Sequence, residues 1–382
     1  MGIWLLLCCH SIPKQPKGAQ NILMKTRSKL HILKTLLLAL PLTIVSLANG
    51  ADTSPTPAPA TPRTAIKVGH LLVPGQAKIF IAQDLGYFAE QGLDVELVEF
   101  SNSADGLAAL RAGKLDFGTF GATAPLFHIA KGADIRIVGG IHNEDAALIA
   151  TPEKAAQIKT VADLKGRKIA VVRLSSGDAA LRGRLQELGI DPSKDVQIFE
   201  LKSPPAVIEA VRSGEVDAGT VWEPHIVRAQ EAGLTVVARS HDLIPGHPCC
   251  RLVVQASEVT EHPQVIEGFL TALLKAEKYG HDNREGAVDI ITKHLKLDRH
   301  IIEKSYLNDQ PTDPDVANTT KFWNTMRKIG FAEQDKNIAD YVNTTFYKHA
   351  LDKLAAASPN EPFWQEQEKA FATTSSAPKN DK

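Results

Sequence analysis

The side chains best suited to chemistry fall in five short clusters. His70 to Gln76 (HLLVPGQ) sets an imidazole and an amide around Pro74 and Gly75. It reads either as a loop that touches a ligand through His70 and Gln76, or as a plain strand-to-helix turn. Gly121-Ala122-Thr123-Ala124-Pro125 places the Thr123 hydroxyl and open backbone N–H groups near a helix start, which suits an anion, a carbonyl or an ordinary N-cap. Ser175-Ser176-Gly177-Asp178 repeats that arrangement, with Ser175, Ser176 and Gly177 as the candidate contacts and capping as the other reading. In Trp222-Glu223-Pro224, Trp222 is either a flat wall for a ligand or a core aromatic. Glu223 would receive a cationic or N–H-rich group, or pair with an arginine, and it disfavours a small bare anion as sole ligand.

The fifth cluster is Cys249-Cys250-Arg251, with His241 and His247 close by in sequence. Adjacent cysteines fit four roles: buried apolar residues, a strained vicinal disulfide, soft metal ligands, or direct contacts to a ligand. The spacing lacks the second CxxC or the His pair of a zinc site, so Cys249 and Cys250 are weak metal candidates and no metal is expected. Arg251 suits bidentate anion binding or a structural salt bridge. No P-loop, GxSxG, HExxH or GxGxxG occurs, and neither catalysis nor a cofactor is expected.

Positioning these clusters falls to a β-α-β-α-β rhythm that runs twice. IKVGHL, DVELVEF and DFGTFG are strands, and helical segments ending near Gly92 and Gly113 lie between them. KIAVVRLSS, DVQIFEL and DAGTVWEP repeat the order, with helices ended by Gly189 and started at Ser203. LRAGKLDFGT (110–119) and VRSGEVDAGT (211–220) match at five of ten positions, with three close substitutions. Two lobes of one plan follow. Asp116 and Asp217 are repeat-equivalent, so they fall in different lobes and are expected to make turn bonds rather than act as a catalytic pair.

Composition agrees with a soluble globular protein. The 382 residues are 43% hydrophobic and 23% charged, with net charge −1, which leaves no basic surface for nucleic acid or a membrane patch. From Met24, a basic stretch (Lys25, Arg27, Lys29, Lys34), an apolar run from Leu36 to Leu47 and small residues at Ala48 to Ala51 have the order of a cleaved secretory signal, with an anchor helix as the alternative. The residues before Met24 fit an over-extended start. A Pro/Ala/Thr-rich tether covers 51–64. The expected layout is signal over 1–50, lobe 1 over 65–148, lobe 2 over 149–246, return to lobe 1 with C-terminal helices over 247–358, and a tail over 359–382 that is largely polar from Phe371 onward.

GYFAEQGLDVELVEF, ALRAGKLDFGTFGATAPL, TVADLKGRKIAVVRLSSGDAAL and AVRSGEVDAGTVWEPHI, in this order across about residues 65 to 350, resemble the substrate-binding proteins of the nitrate/taurine/alkanesulfonate class of ABC importers. The thiamin-pyrimidine-precursor binders share their fold. The resemblance implies a type II periplasmic-binding-protein fold: two doubly wound α/β lobes, a hinge, and a helical C-terminal region packed on the first lobe. It implies a periplasmic monomer that captures a sulfonate-, nitrate- or pyrimidine-like solute and meets an ABC permease and its ATPase. A thiamin-pyrimidine-synthase-like enzyme or a ligand sensor are the alternatives.

Overall fold

The computed structural model describes residues 63–307, 310–332 and 336–376. The expected signal and nearly all of the tether lie outside the described residues. Among the described residues, ten strands form two five-stranded sheets. β1 (Thr64–Leu71), β2 (Leu93–Phe100), β3 (Phe117–Gly121) and β4 (Ile135–His142) precede β5 (Ala146–Ala150), β6 (Lys168–Val172), β7 (Gln197–Leu201), β8 (Ala218–Trp222), β9 (Thr235–Arg239) and β10 (Cys250–Gln255). The orders are β2-β1-β3-β10-β4 and β7-β6-β8-β5-β9, the same plan twice. The sheets are not wholly parallel as the rhythm suggests: β10 and β5 each run antiparallel to both neighbours. Each is the strand by which the chain changes sheets, so it enters from the opposite direction. Because β5 belongs entirely to the second sheet, the first crossing falls at 143–145 rather than after residue 148.

The repeated Asp-x-Gly-Thr has a physical explanation in both copies. Asp116 Oδ2 accepts from Lys67 N at 2.6 Å, and Asp217 Oδ2 accepts from Lys168 N at 2.9 Å, tying each strand's start to its parallel neighbour. The following glycine leaves room for a core side chain. A Cβ on Gly118 would lie 2.3 Å from the Phe120 ring, and one on Gly219 would lie 2.4 Å from Val207. The two aspartates are structural, as expected, but their bonds cross to the neighbouring strand rather than close a turn.

KIFIAQDLGYFAEQGL, expected as one helix, is two: Ala77–Asp84 and Tyr87–Glu90, parted at Gly86, whose φ of 73° ends the first. The long Pro263–Asp282 helix packs on the first of these, and its Phe269 stacks between Phe117 at 4.5 Å and Phe88 at 4.9 Å. The C-terminal helices do not all rest on lobe 1. Val316–Lys328 lies against the Ser176–Glu187 helix of lobe 2, where Phe322, Trp323 and Met326 share a core with Leu181 and Leu185. Gly183 permits that crossing, since a Cβ there would meet Thr325 at 2.2 Å. The expected polar tail is also revised: Pro362–Thr374 is a helix whose Phe363, Trp364 and Phe371 are buried in the first-lobe core. No helix among the described residues is long and apolar enough to cross a membrane.

Candidate functional site

The carboxyl ends of β1, β3, β6 and β8 converge on one cleft, as expected for open α/β sheets, where helix N-termini follow the strands. Its inner pocket holds about 50 Å³. Leu71, Val73, Ser103 and Gly121 form one wall, and Leu174, Ser175, Ser176 and Trp222 form the other. His142, Asp145, Cys249 and Cys250 form the floor. Leu71, Val73, Ser175 and Trp222 also line the wider outer cleft of about 770 Å³, so the inner pocket opens into it. Another hollow, of about 660 Å³ beside Ile66, Glu96 and Asp116, lies at the amino ends of the strands, away from the helix starts.

The second-lobe wall is shaped by local backbone. Leu174 has φ 56°, the left-handed region that a branched residue rarely adopts, and this turns the chain into the Ser176–Glu187 helix. Ser175 caps that helix, its hydroxyl accepting from Asp178 N at 3.1 Å. Asp178 is fully buried with Arg182 Nε donating to it at 2.6 Å; burial still pushes its carboxyl up to about 6, against the pull of the arginine. Ser176 Oγ lies 3.5 Å from Cys249 Sγ, a contact across the cleft. Thr123 Oγ1 donates to the Ser175 carbonyl at 3.4 Å, a second contact between lobes.

The floor is made by the two crossing segments. Glu144, with φ 55°, sits in the first and accepts from Gly246 N at 2.8 Å, His247 N at 3.1 Å and the Ser240 hydroxyl at 3.0 Å in the second. One carboxylate therefore straps both crossings together. Beside it, His142 Nε2 lies 3.1 Å from Asp145 Oδ2, close but not aligned for a hydrogen bond. Burial opposes the imidazolium, but Cys249 and Asp145 outweigh it and hold His142 up at about 10. The Cys249 thiol is drawn well below its usual range by Cys250 and, against burial, by His142, while Cys250 is pushed well above it. Burial raises Asp145 to about 6 despite His142. Glu223 rises to about 7 through burial and the nearby Asp145. An imidazole between a carboxylate and two thiols can keep a sulfur ionised or give a soft cation three donors.

Of the residues singled out in the sequence, Ser175, Ser176, Trp222, Cys249 and Cys250 meet at the inner pocket. The others are engaged elsewhere. His70 is buried edge-on to Phe80, and Gln76 donates to the Thr119 carbonyl at 3.0 Å, so Leu71 and Val73 of that loop face the pocket instead. Thr123 and Gly177 pack behind the wall; a Cβ on Gly177 would lie 3.1 Å from Ala146. Glu223 is buried beneath Trp222's strand end, its N–H donating to Asp145 at 3.3 Å. Arg251, fully buried, is a structural brace: it donates to Asn143 Oδ1 at 2.9 Å and sits 3.7 Å from Asp315 at the start of the Val316–Lys328 helix. His142 and Asp145 were missed. The polar run HNED between two apolar strands was the available signal.

Two like sheets with a pocket between them at the strand ends define the periplasmic-binding-protein fold, and solved structures agree. The periplasmic aliphatic sulphonate binding protein of Escherichia coli superposes with a TM-score of 0.64 at 23% identity, covering 75% of this chain and 100% of that one. The periplasmic nitrate-binding protein of Synechocystis gives 0.66 at 16% identity, covering 79% and 91%. The chain matches the model of the NMT1-like family over residues 59–292 and belongs to that family. A putative binding protein of Brucella abortus is 30% identical over 231 residues, 60% of this chain and 70% of its own length. A putative aliphatic sulfonates-binding protein of Bacillus subtilis is 28% identical over 291 residues, 72% and 85%.

Proposed function

We propose that the protein is the solute-binding component of an ABC importer: outside the cytoplasmic membrane it captures a small organic solute between its lobes and presents the closed form to a permease served by an ATPase. The carrying observation is that opposite walls of one pocket come from equivalent strand ends of two lobes, with the crossings as its floor. A pocket so built changes shape when the lobes rotate, which is what couples capture to recognition by a partner. Relatives described as aliphatic sulfonates-binding and taurine-binding proteins support this class of cargo.

Wall chemistry narrows the cargo. Trp222, Leu71, Val73 and Leu174 offer an apolar surface, whereas the floor carries the Asp145 carboxyl, the His142 imidazole and two sulfurs. Among the described residues, no Arg or Lys lines this pocket to offset Asp145, so a bare anion such as nitrate is poorly matched at the inner end. A solute with an apolar or aromatic body, lying against Trp222 and directing N–H or neutral polar atoms inward, fits better. Binding without chemistry and a monomeric state complete the proposal.

A thermal-shift panel tests it, with taurine, longer alkanesulfonates, nitrate and a hydroxymethylpyrimidine. Any cargo that binds only the native form must raise Tm, by about 2.7 kcal/mol of added stability at a hundred times Kd. The expected outcome is a shift with an organic member that is lost in Trp222→Ala. A flat response to every member sinks the proposal.

A further inference from the structure

We infer that the floor of the cleft is a binding site for a thiophilic cation, zinc(II) or copper(I), held by the Cys249 and Cys250 sulfurs and one ring nitrogen of His142. The donor atoms of these three buried residues all lie within 4.8 Å of one another. Bound in tetrahedral geometry, two sulfurs stand about 3.8 Å apart and a sulfur and a ring nitrogen about 3.5 Å, so the trio needs to contract by no more than roughly 1.3 Å to close on an ion. Two thiolates and an imidazole are a soft donor set, which prefers zinc or copper(I) to magnesium or calcium.

Three further features favour a ligand over three inert core groups. The His142 ring is buried, yet neither nitrogen has an aligned hydrogen-bond partner, a costly state that an ion displacing one ring proton would relieve. The ring is also fixed in place, for it lies where a Cβ on Gly75 would come within 2.5 Å, and Asp145 stands 3.1 Å from Nε2. Finally, pairing between β10 and β4 slips just after Cys250, which sits opposite His142. Such bulges re-aim side chains, and here the slip adjoins two consecutive cysteines whose sulfurs approach one imidazole. The trio lines the inner pocket rather than the closed core, so three protein donors would leave a coordination position facing the cleft. His142 ends the strand before the first crossing and the cysteines end the second, so the ion would join the two.

This goes beyond solute capture and does not depend on it. The test uses the full-length protein, reduced and freed of metal by chelator. It is titrated with zinc(II), and separately with copper(I) under anaerobic conditions, each against a chromophoric competitor. One equivalent of at least one ion is expected to survive gel filtration, to raise Tm, and to shield Cys249 and Cys250 from alkylation as mapped by peptide mass spectrometry. Cys249→Ser, Cys250→Ser and His142→Gln are each expected to lose retention, while Trp222→Ala keeps it. Alkylation shielding is read on the unmutated protein, so a variant that fails to fold does not decide the matter. Retention of neither ion overturns the inference, as does retention unaffected by all three substitutions or a vicinal disulfide in the protein as exported. A metal-positive, solute-negative result would leave this site standing and remove the transport proposal; the reverse result would do the opposite.

Discussion

Glu223 illustrates how burial at the cleft acts on a single group. Its carboxyl titrates near 7 rather than 4.5, so the folded state holds a proton that the unfolded chain releases. Stability from that raised value is fully present below about pH 4.5 and lost as pH rises through about 7. Glu223→Gln should therefore match the parent at pH 5 and exceed it at pH 8 by on the order of 2 kcal/mol in chemical denaturation. Equal stabilities at both pH values would refute the assignment. At this scale the sequence announces residues that strand ends and helix starts bring to the cleft: Ser175, Ser176 and Trp222 line the pocket by position alone. It conceals residues whose partners are remote in sequence. Arg251 could have faced a ligand, but Asn143 and Asp315 claim its guanidinium. His142 and Asp145 acquire their meaning only when β10 brings the cysteines beside them.

Among the elements, the contact between the Ser176–Glu187 and Val316–Lys328 helices leaves no room for an added methyl. Alanine usually improves a helix by 0.5–1 kcal/mol over glycine. At Gly183 the new methyl would instead meet Thr325 at 2.2 Å, and overpacking costs about 1–3 kcal/mol. Gly183→Ala is expected to lower Tm, with Gly183→Ala/Thr325→Ser recovering part of the loss; a raised Tm in the single variant would contradict the packing. The strand–helix rhythm and the Asp-x-Gly-Thr repeat were legible because they are local. The antiparallel strands β5 and β10 were not, because their direction depends on neighbours about seventy and more residues away. The Pro362–Thr374 helix was hidden for another reason: its few aromatics stand among polar residues, and only the core they enter makes them a face.

For the whole molecule, the two-lobed fold was readable from the internal repeat and from the family resemblance. How the lobes are joined was not. Glu144 straps the two crossings, and Val316–Lys328 lies on lobe 2 with Arg251 of lobe 1 bonded near its start. Closure about these joints predicts a measurable fall in the radius of gyration in solution scattering when the Tm-raising solute is added. Unchanged scattering at saturation would mean capture without lobe movement.

The strapped crossings carry a consequence for anyone who would redesign this protein. Asp145, Cys249 and Cys250 face the pocket, while Asn143, Glu144 and His247, their immediate neighbours, hold the joints together. Taste and stiffness are thus written into the same two short crossings. A substitution made here to admit a new cargo also touches the joints, so in a biosensor built on this chain selectivity and response speed would not be tuned independently.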